Sequence, residues 1–523
     1  MSARISPVIR RGGVVAGRLL VYVLIWTGLA LLIAAAGIRY FWGEITVGQM
    51  LLNLVSVELD GGGGPIVWMG ILGVGVLPLL LTAGIALGQY ARRRRRRQGG
   101  PVRPHRPRWL VRVLPTVLVA GVVVGGSTAF ATTVGVGDYL RAGNSAYDLG
   151  DYYVEPTVTG DEHKRNLVLI YLESGEATLA NDELFEKNAF APLQEVTRAS
   201  DGWQSVEDLR QYEGGGWTMA GLTATQCGVP LKGLGSAADS GALNELGGDV
   251  GTYLGGTTYL GGTTCLGDVL REHGYTSVFL GGANASFAAK DAFLGTHGYS
   301  EVKDLSDWRA AGEPEKNFRG DWGLSDGRLM AHAKDEVDAL HAEAQRTGRP
   351  FNLSVLTLDT HEPVHIFDYC TVDTENVVTS AFFCSMTQVA GFVAHLEQKG
   401  YLEDTAVVIM GDHLKHMSAG DAFHEQLDHH DNRTIFNRVW VPGEDLDGRL
   451  RPRVDQLSMY PTILEAAGLE LSDRAAGLGV SAFTTELPQG SAQAMEPQLY
   501  TELLGSRSSQ FYAEAWSGGD VAR

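Results

Sequence analysis

The chain of 523 residues carries 42 Lys and Arg against 61 Asp and Glu, a net charge of −19. The imbalance is segregated: residues 1–132 hold 15 Arg and no Lys against Glu44, Glu58 and Asp60, a net of +12, which leaves −31 on the remainder. So acidic a remainder excludes a nucleic-acid-binding face, and the length admits more than one domain.

The N-terminal Arg excess is explained by a membrane. Three apolar stretches, near 16–38, 66–90 and 110–132, reach the roughly 20 residues needed to cross a bilayer. Arg10 and Arg11 precede the first, and the loop 91–109 between the second and third carries Arg92 to Arg97 unbroken, then Arg103, Arg106 and Arg108. Basic loops stay cytoplasmic. The reading is a multi-pass protein of the inner, cytoplasmic membrane, with everything after Thr132 on the periplasmic or extracytoplasmic side. A six-Arg run also suits a nucleic-acid or lipid patch, but its place between two hydrophobic spans reads as topology. A cleaved signal peptide fits the first stretch less well, because no clear A-x-A site follows it and two further spans do.

Residues 133–160 are polar and aromatic without helical periodicity, and are expected to link the membrane domain to an extracytoplasmic domain over 161–484. In that domain Asn166–Leu172 is a continuous apolar run of strand length, and similar runs recur at Thr276–Leu280, Phe351–Leu358 and Thr405–Met410. Helical patterns separate them: Leu266–His273, Leu324–Gln345 and Thr379–Gln398. Buried apolar strands alternating with helices predict an α/β fold with a mostly parallel sheet flanked by helices. The Gly-rich span 213–264, which ends in a doubled Tyr-Leu-Gly-Gly-Thr-Thr, reads mostly as loop, and the tail 485–523 as a surface helix or partly disordered.

All four cysteines, Cys227, Cys265, Cys370 and Cys384, lie beyond the third span. An even count in an oxidising compartment predicts disulfides, paired 227 with 265 and 370 with 384; four buried thiols are the alternative. Zinc ligation by them lacks the C-x-x-C spacing.

In an open parallel sheet, sites form beyond the carboxyl ends of the strands. Each expected strand is followed there by polar residues: Glu173 after the first, Gly281-Gly282-Ala283-Asn284 after the second, Asp359-Thr360-His361 after the third, and Gly411-Asp412-His413 after the last. A Gly-rich turn, Gly214–Gly216, leads into Trp217 and Thr218. No Gly-Lys-Ser/Thr follows, so the turn is not a P-loop. It lets Thr218 start a helix over Thr218–Gln226, whose positive N-terminus favours both an ionised nucleophile and a bound phosphoryl group. A hydroxyl nucleophile needs a base or a metal. Glu173, Asp412 and His413, completed by Thr218, are a suitable set for one divalent cation, which lowers a hydroxyl pKa and binds a phosphoryl oxygen. His361 is the candidate to protonate a leaving alkoxide or hold the phosphate, and Lys290 to neutralise its charge. Trp203, Trp217 and Trp322 are candidates for a sugar-binding surface. His416, His424, His429 and His430 read as solvated or accessory.

The segments Asn166–Ser174, Gly216-Trp-Thr-Met-Ala-Gly221 and Met410-Gly-Asp-His-Leu414 together resemble the membrane-bound phosphoglycerol transferases of the alkaline phosphatase/sulfatase superfamily, relatives of lipoteichoic acid synthase. Thr223–Pro230, Phe287-Ala-Ala-Lys-Asp291 and Gly295-Thr-His-Gly298 are similar to the branch that acts on osmoregulated periplasmic glucans. The resemblance covers about 161–484. It implies a phosphoglyceryl-threonine intermediate on Thr218. It also implies a metal held by Glu173, Thr218, Asp412 and His413 (Mn2+ or Mg2+, with Zn2+ the third candidate), and a substrate-side role for His361. Lys290 falls where the synthases carry an arginine. Two departures, Gly281 or Gly282 in place of a histidine and Ala288 in place of a tryptophan, favour the glucan branch over polymer synthesis. The expected donor is phosphatidylglycerol and the expected acceptor a glycan. The rivals are a phosphoethanolamine transferase, a lipoteichoic-acid-type polymerase, and an inactive membrane-tethered sensor or scaffold. A sulfatase lacks its C/S-x-P-x-R motif here.

Overall fold

The computed structural model describes residues 7–41, 70–98, 108–142, 145–232, 258–320, 322–416, 422–430, 432–444, 446 and 450–517. They fall into two units, one of N-terminal apolar helices and one that begins at Leu140.

The first unit holds α1 (Pro7–Phe41), a π-helical segment Ile71–Val76 running into α2 (Leu77–Arg97), and α3 (Arg108–Thr133). Each contains a stretch long and apolar enough to cross a membrane: Ala16–Tyr40, Ile71–Arg95 and Pro115–Thr133. Large apolar side chains such as Leu20, Leu80 and Leu118 stay exposed, as a lipid-facing surface requires. Helices α1 and α3 approach closely where Gly28 meets Gly126: a Cβ on Gly126 would sit 2.2 Å from the Gly28 carbonyl oxygen. Small residues at a crossing are how apolar helices gain van der Waals contact without a hydrophobic drive.

The second unit is built on six strands: β1 (Asn166–Leu172), β2 (Thr276–Gly281), β3 (Glu301–Lys303), β4 (Phe351–Leu356), β5 (Thr405–Gly411) and β6 (Asn437–Trp440). Their order is β3-β2-β4-β1-β5-β6. All neighbours are parallel except β6, which runs antiparallel to β5 at one edge. In register, Tyr171 of β1 lies between Leu356 of β4 and Met410 of β5. The carboxyl ends of the central strands therefore emerge together.

Both faces of the sheet are covered, which is why β1 reads as unbroken apolar sequence. Leu167, Leu169 and Tyr171 pack into one core with α4 (Thr218–Cys227) and α7 (Gln456–Ala466). Val168, Ile170 and Leu172 pack into the other with α5 (Asp326–Thr347) and α6 (Val377–Gln398). Helix α6 is apolar enough to span a bilayer, yet 67% of its most apolar window is buried. It belongs to the core.

Three expectations change. The stretch 133–160 contains a helix, Val136–Ala142, and from Leu149 it joins the packed unit: Leu149 is fully buried, and Val154 and Gly477 exchange 2.8 Å backbone hydrogen bonds. The tail contributes α8 (Pro497–Gly505) and α9 (Ser509–Trp516) to the core, burying Leu503, Phe511, Tyr512 and Trp516. Its apolar residues are few but fall on one face of each helix, a pattern too short to stand out from sequence. Trp203 is a core residue, 5.8 Å from the Trp440 ring, and offers no sugar surface. Residues 253–257 of the doubled Gly-rich repeat lie outside the described residues, and in its second half Tyr259 and Leu260 are buried in the core.

Two disulfides form, Cys227–Cys265 and Cys370–Cys384. The first joins the end of α4 to the start of the helix Leu266–Glu272, and the second joins the loop after β4 to α6. Closing loops of this size constrains the unfolded chain by about 3–4 kcal/mol each in a chain-entropy account.

Candidate active site

Glu173 follows the last residue of β1, and its backbone is held on both sides. Its N–H donates to Thr357 Oγ1 (2.9 Å), and its carbonyl accepts from Thr360 Oγ1 (2.7 Å). Ser174 adopts φ 54°, a left-handed conformation uncommon for a residue with a side chain. There its N–H reaches Asp412 Oδ1 (2.9 Å) and its hydroxyl donates to Glu173 Oε1 (2.9 Å). One residue thus ties the ends of β1 and β5.

Thr218 is the first residue of α4, preceded by extended Trp217. The turn before it needs glycine: Gly214 has φ +100°, and a Cβ on Gly215 would lie 2.5 Å from Gln456 Oε1. Helix α4 then packs Gly221 directly under the Asp412 carbonyl, where a Cβ would come within 2.0 Å of the oxygen. This contact sets Thr218 over the sheet edge, and its hydroxyl donates to Glu173 Oε2 at 3.3 Å.

Asp412 and His413 follow β5. The His413 N–H donates to Asp412 Oδ1 (2.8 Å), and Gln456 Nε2 donates to the Asp412 carbonyl (2.7 Å). His413 Nδ1 donates to the Leu414 carbonyl (2.7 Å), which turns Nε2 toward Glu173 Oε1 (3.5 Å) and Asp412 Oδ2 (3.7 Å). A ring fixed through Nδ1 presents Nε2 as a ligand.

Glu173, Asp412 and His413 each offer a ligand atom within 4.8 Å of the others, and all three are buried. Asp412 Oδ2 is buried with no hydrogen-bond partner. Two carboxylates and an imidazole facing an orphaned oxygen fit one divalent cation. The electrostatics agree. Burial opposes ionisation of Asp412 and the Glu173 charge adds to this, outweighing His413 and raising its pKa to about 7. Burial disfavours the His413 cation, but Asp412 and Glu173 overcome this and raise its pKa to about 9. Burial also opposes the Glu173 charge, yet His413 and His361 hold its pKa well below the usual carboxylate range. The protein therefore gathers negative charge that a proton must partly balance when no cation does. The other Cys/His grouping, Cys227, Cys265 and His297, has its sulfurs in a disulfide and is no metal site.

His361 lies after β4, half-buried on the same edge. Its Nδ1 donates to the Glu362 carbonyl (2.9 Å), and Trp322 sits against its ring, 4.2 Å between centroids. Arg319, 1% exposed, donates Nη1 to the His361 carbonyl (2.7 Å) and Nη2 to that of Pro363. One short hairpin, Phe318–Arg319 paired with Gly323–Leu324, thus fixes both backbone and ring of His361. Burial lowers the His361 pKa, with Arg319 and His413 adding to it and Glu173 opposing. An ion pair between buried Lys415 and half-buried Glu362, Nζ to Oε1 at 2.7 Å, links this loop to the one after His413.

Lys290 is 7% exposed; burial lowers its pKa, and Glu173 and Asp412 resist that. It stands in the field of both carboxylates. Trp217 is a core residue at the α4 N-terminus, whereas Trp322 is the tryptophan that lies against a site residue. Gly282 cannot carry a histidine: a Cβ there would lie 2.5 Å from the Leu324 carbonyl oxygen. His416 is exposed, 5.3 Å from the His413 ring, and His429 and His430 are exposed. The sequence reading missed Thr357, Arg319 and the Lys415–Glu362 pair. It named Ser174 and Thr360 only as parts of their motifs and gave them no role.

The Sulfatase family model matches residues 255–469, a range that holds Lys290, His361, Asp412 and His413. Phosphoglycerol transferase I of Salmonella paratyphi B is 30% identical over 390 residues, 72% of this chain and 46% of that protein. The Salmonella typhimurium protein of the same name matches equally. The chain spans about half the length of the curated relatives it matches. Among solved structures, an alkaline phosphatase superfamily protein from Vibrio parahaemolyticus aligns with a TM-score of 0.50 at 19% identity, covering 73% of this chain and 94% of that one. That likeness is one of fold, and it agrees with the parallel sheet and its loaded carboxyl edge. The chain thus carries a Sulfatase domain in an alkaline phosphatase/sulfatase fold, and over 72% of its length it is similar to phosphoglycerol transferases.

Proposed function

We propose that the chain transfers phosphoglycerol from phosphatidylglycerol to an extracytoplasmic glycan acceptor, through a covalent intermediate on Thr218. The observation that carries this reading is the Thr218 hydroxyl at a helix N-terminus, 3.3 Å from Glu173 and beside the buried Asp412–His413 pair. The relatives named phosphoglycerol transferase I support the transferred group.

Glu173, Asp412, His413 and Thr218 would hold one divalent cation, Mn2+ or Mg2+, which when bound supplies Lewis-acid stabilisation of phosphoryl charge and a lowered hydroxyl pKa. Thr218 Oγ attacks phosphorus; the Thr218 O–P bond forms as the diacylglycerol O–P bond breaks. The α4 N-terminus adds partial positive charge at the attacking oxygen. The proton lost by Thr218 ends on the diacylglycerol hydroxyl, and His361 delivers it to the leaving oxygen. In the second half the acceptor hydroxyl attacks phosphorus, neutral His361 takes its proton, and Thr218 leaves reprotonated. A low His361 pKa suits both duties: the imidazolium is a strong acid and the free base is available near neutral pH. Lys290 balances the phosphoryl charge. The N-terminal spans and the Arg-rich loop support a domain on the outer side of the inner membrane, where a lipid headgroup is within reach.

The test incubates purified full-length protein with glycerol-labelled phosphatidylglycerol, Mn2+ and a glucan acceptor. Label on the glucan, with diacylglycerol released, is expected. Thr218→Ala abolishes diacylglycerol release, a loss of at least ~10³-fold, while leaving the melting temperature unchanged. A trapped phosphoglycerol adduct on Thr218 is expected by mass spectrometry; a phosphoethanolamine adduct identifies the other transferase class. Release of diacylglycerol by Thr218→Ala at the wild-type rate rules out the covalent route.

A further inference from the structure

Behind Glu173 and His361 lies a second pair of buried carboxyls that the reaction itself does not use. Asp326 is fully buried at the start of α5, and Asp359 is 4% exposed in the turn after β4. Asp326 does not cap its own helix, since Ser325 does. Its carboxylate instead accepts the backbone N–H of Leu358 (2.7 Å) and of Asp359 (3.1 Å). In return, Asp326 N–H donates to Asp359 Oδ2 (3.0 Å). This closed set of bonds fixes the turn 357–361, the same turn whose Thr357 and Thr360 hold the backbone of Glu173 and whose last residue is His361.

Two hydroxyls complete the pair. Ser385 Oγ, on α6, donates to Asp326 Oδ2 (2.6 Å), and Tyr369 OH donates to Asp359 Oδ2 (3.1 Å). Each sits directly beside a cysteine of one disulfide: Tyr369 next to Cys370, Ser385 next to Cys384. Tyr369 is otherwise on an open loop, 47% exposed.

We propose that Asp326 and Asp359 are positioning residues for Glu173 and His361, and that the Cys370–Cys384 bond holds in place the two hydroxyls that keep this pair set. The roles given to Glu173 and His361 rest on the reading above, whereas the mechanical coupling does not. Outer-shell hydrogen bonds of this kind orient ligands and acids without touching substrate.

Two full-length variants test it: Tyr369→Phe, which removes one hydroxyl (it also accepts the Gly327 N–H at 3.1 Å) and spares the disulfide, and Cys370→Ser/Cys384→Ser. Amide hydrogen exchange is read at Glu173, Leu358 and Asp359, together with Mn2+ affinity and the kcat and KM of diacylglycerol release. In both variants, exchange at these three amides rises about tenfold or more. Mn2+ affinity and kcat fall about tenfold with KM within about twofold. Breaking the Cys227–Cys265 bond leaves exchange at the three amides unchanged. Faster exchange confined to residues 362–376, with the three amides and Mn2+ affinity as in the wild type, overturns the proposal. A wild type that releases no diacylglycerol refutes the functional reading, and the exchange measurement still decides this one.

Discussion

At Asp412, burial and charge pull against each other, and the outcome is measurable. Its folded pKa is raised to about 7 from an ordinary 3.8, chiefly by burial. A carboxyl raised on folding binds more protons in the native state than in the unfolded state between those values, so it stabilises at low pH and that contribution is lost as pH rises through about 7. His413, raised to about 9, loses its contribution in the same direction between its ordinary 6.5 and that value. Metal-free wild type is therefore expected to lose stability relative to Asp412→Asn as pH rises from about 4 to 9, as followed by urea denaturation. Saturating Mn2+ raises the wild-type melting temperature most at the alkaline end and leaves that of the Asn variant little changed. A flat difference between the two proteins across this range would contradict the charge balance described for the site. At this scale, the ligand types were legible in the sequence because Glu173 and Asp412-His413 each follow an apolar strand. Asp326, Arg319 and Thr357 were not, because a buried polar residue looks like a surface one until its partners are known.

Elements position these residues through close backbone approach. Helix α4 reaches the sheet edge because Gly221 has no side chain against the Asp412 carbonyl. Gly221→Ala is expected to cost about 1–3 kcal/mol by overpacking, and to weaken Mn2+ binding because Asp412 must move. Urea denaturation and calorimetry check the two separately; a variant as stable and as tight-binding as wild type would show that α4 relaxes freely. The strands were readable as apolar runs of strand length, and α4 as the helix after a Gly-rich turn. The short strands β3 and β6 were not foreseen, since three or four residues of Glu301–Lys303 and Asn437–Trp440 carry no periodicity of their own. They are strands because a paired neighbour supplies their hydrogen bonds. The hairpin that clasps His361 is invisible in sequence for the same reason: its strands are two residues each.

For the whole molecule, the C-terminal segment is structural. Deleting residues 488–523 removes Leu503, Leu504, Phe511, Tyr512 and Trp516 from the core. Large buried side chains contribute about 2–5 kcal/mol each, so losing five of them is comparable to or larger than the ~5–15 kcal/mol that a domain has in total. The truncated chain is expected to be degraded or aggregated, and digestion by trypsin at the wild-type rate would refute this. The sequence by itself determined the apolar spans, the charge segregation, the alternation of strands and helices, and the motifs at the strand ends, because each is written in neighbouring residues. The tertiary structure alone decided what those residues meet. Pro115–Thr133 and Val377–Gln398 are both apolar enough to cross a bilayer, yet 11% of the first and 67% of the second is buried within the protein. Ser174 and Asp412 meet at 2.9 Å from 238 residues apart. Hydrophobicity fixes that a segment leaves water, but whether it enters lipid or a core, and which distant carboxylate it brings with it, depends on the surfaces available to bury it.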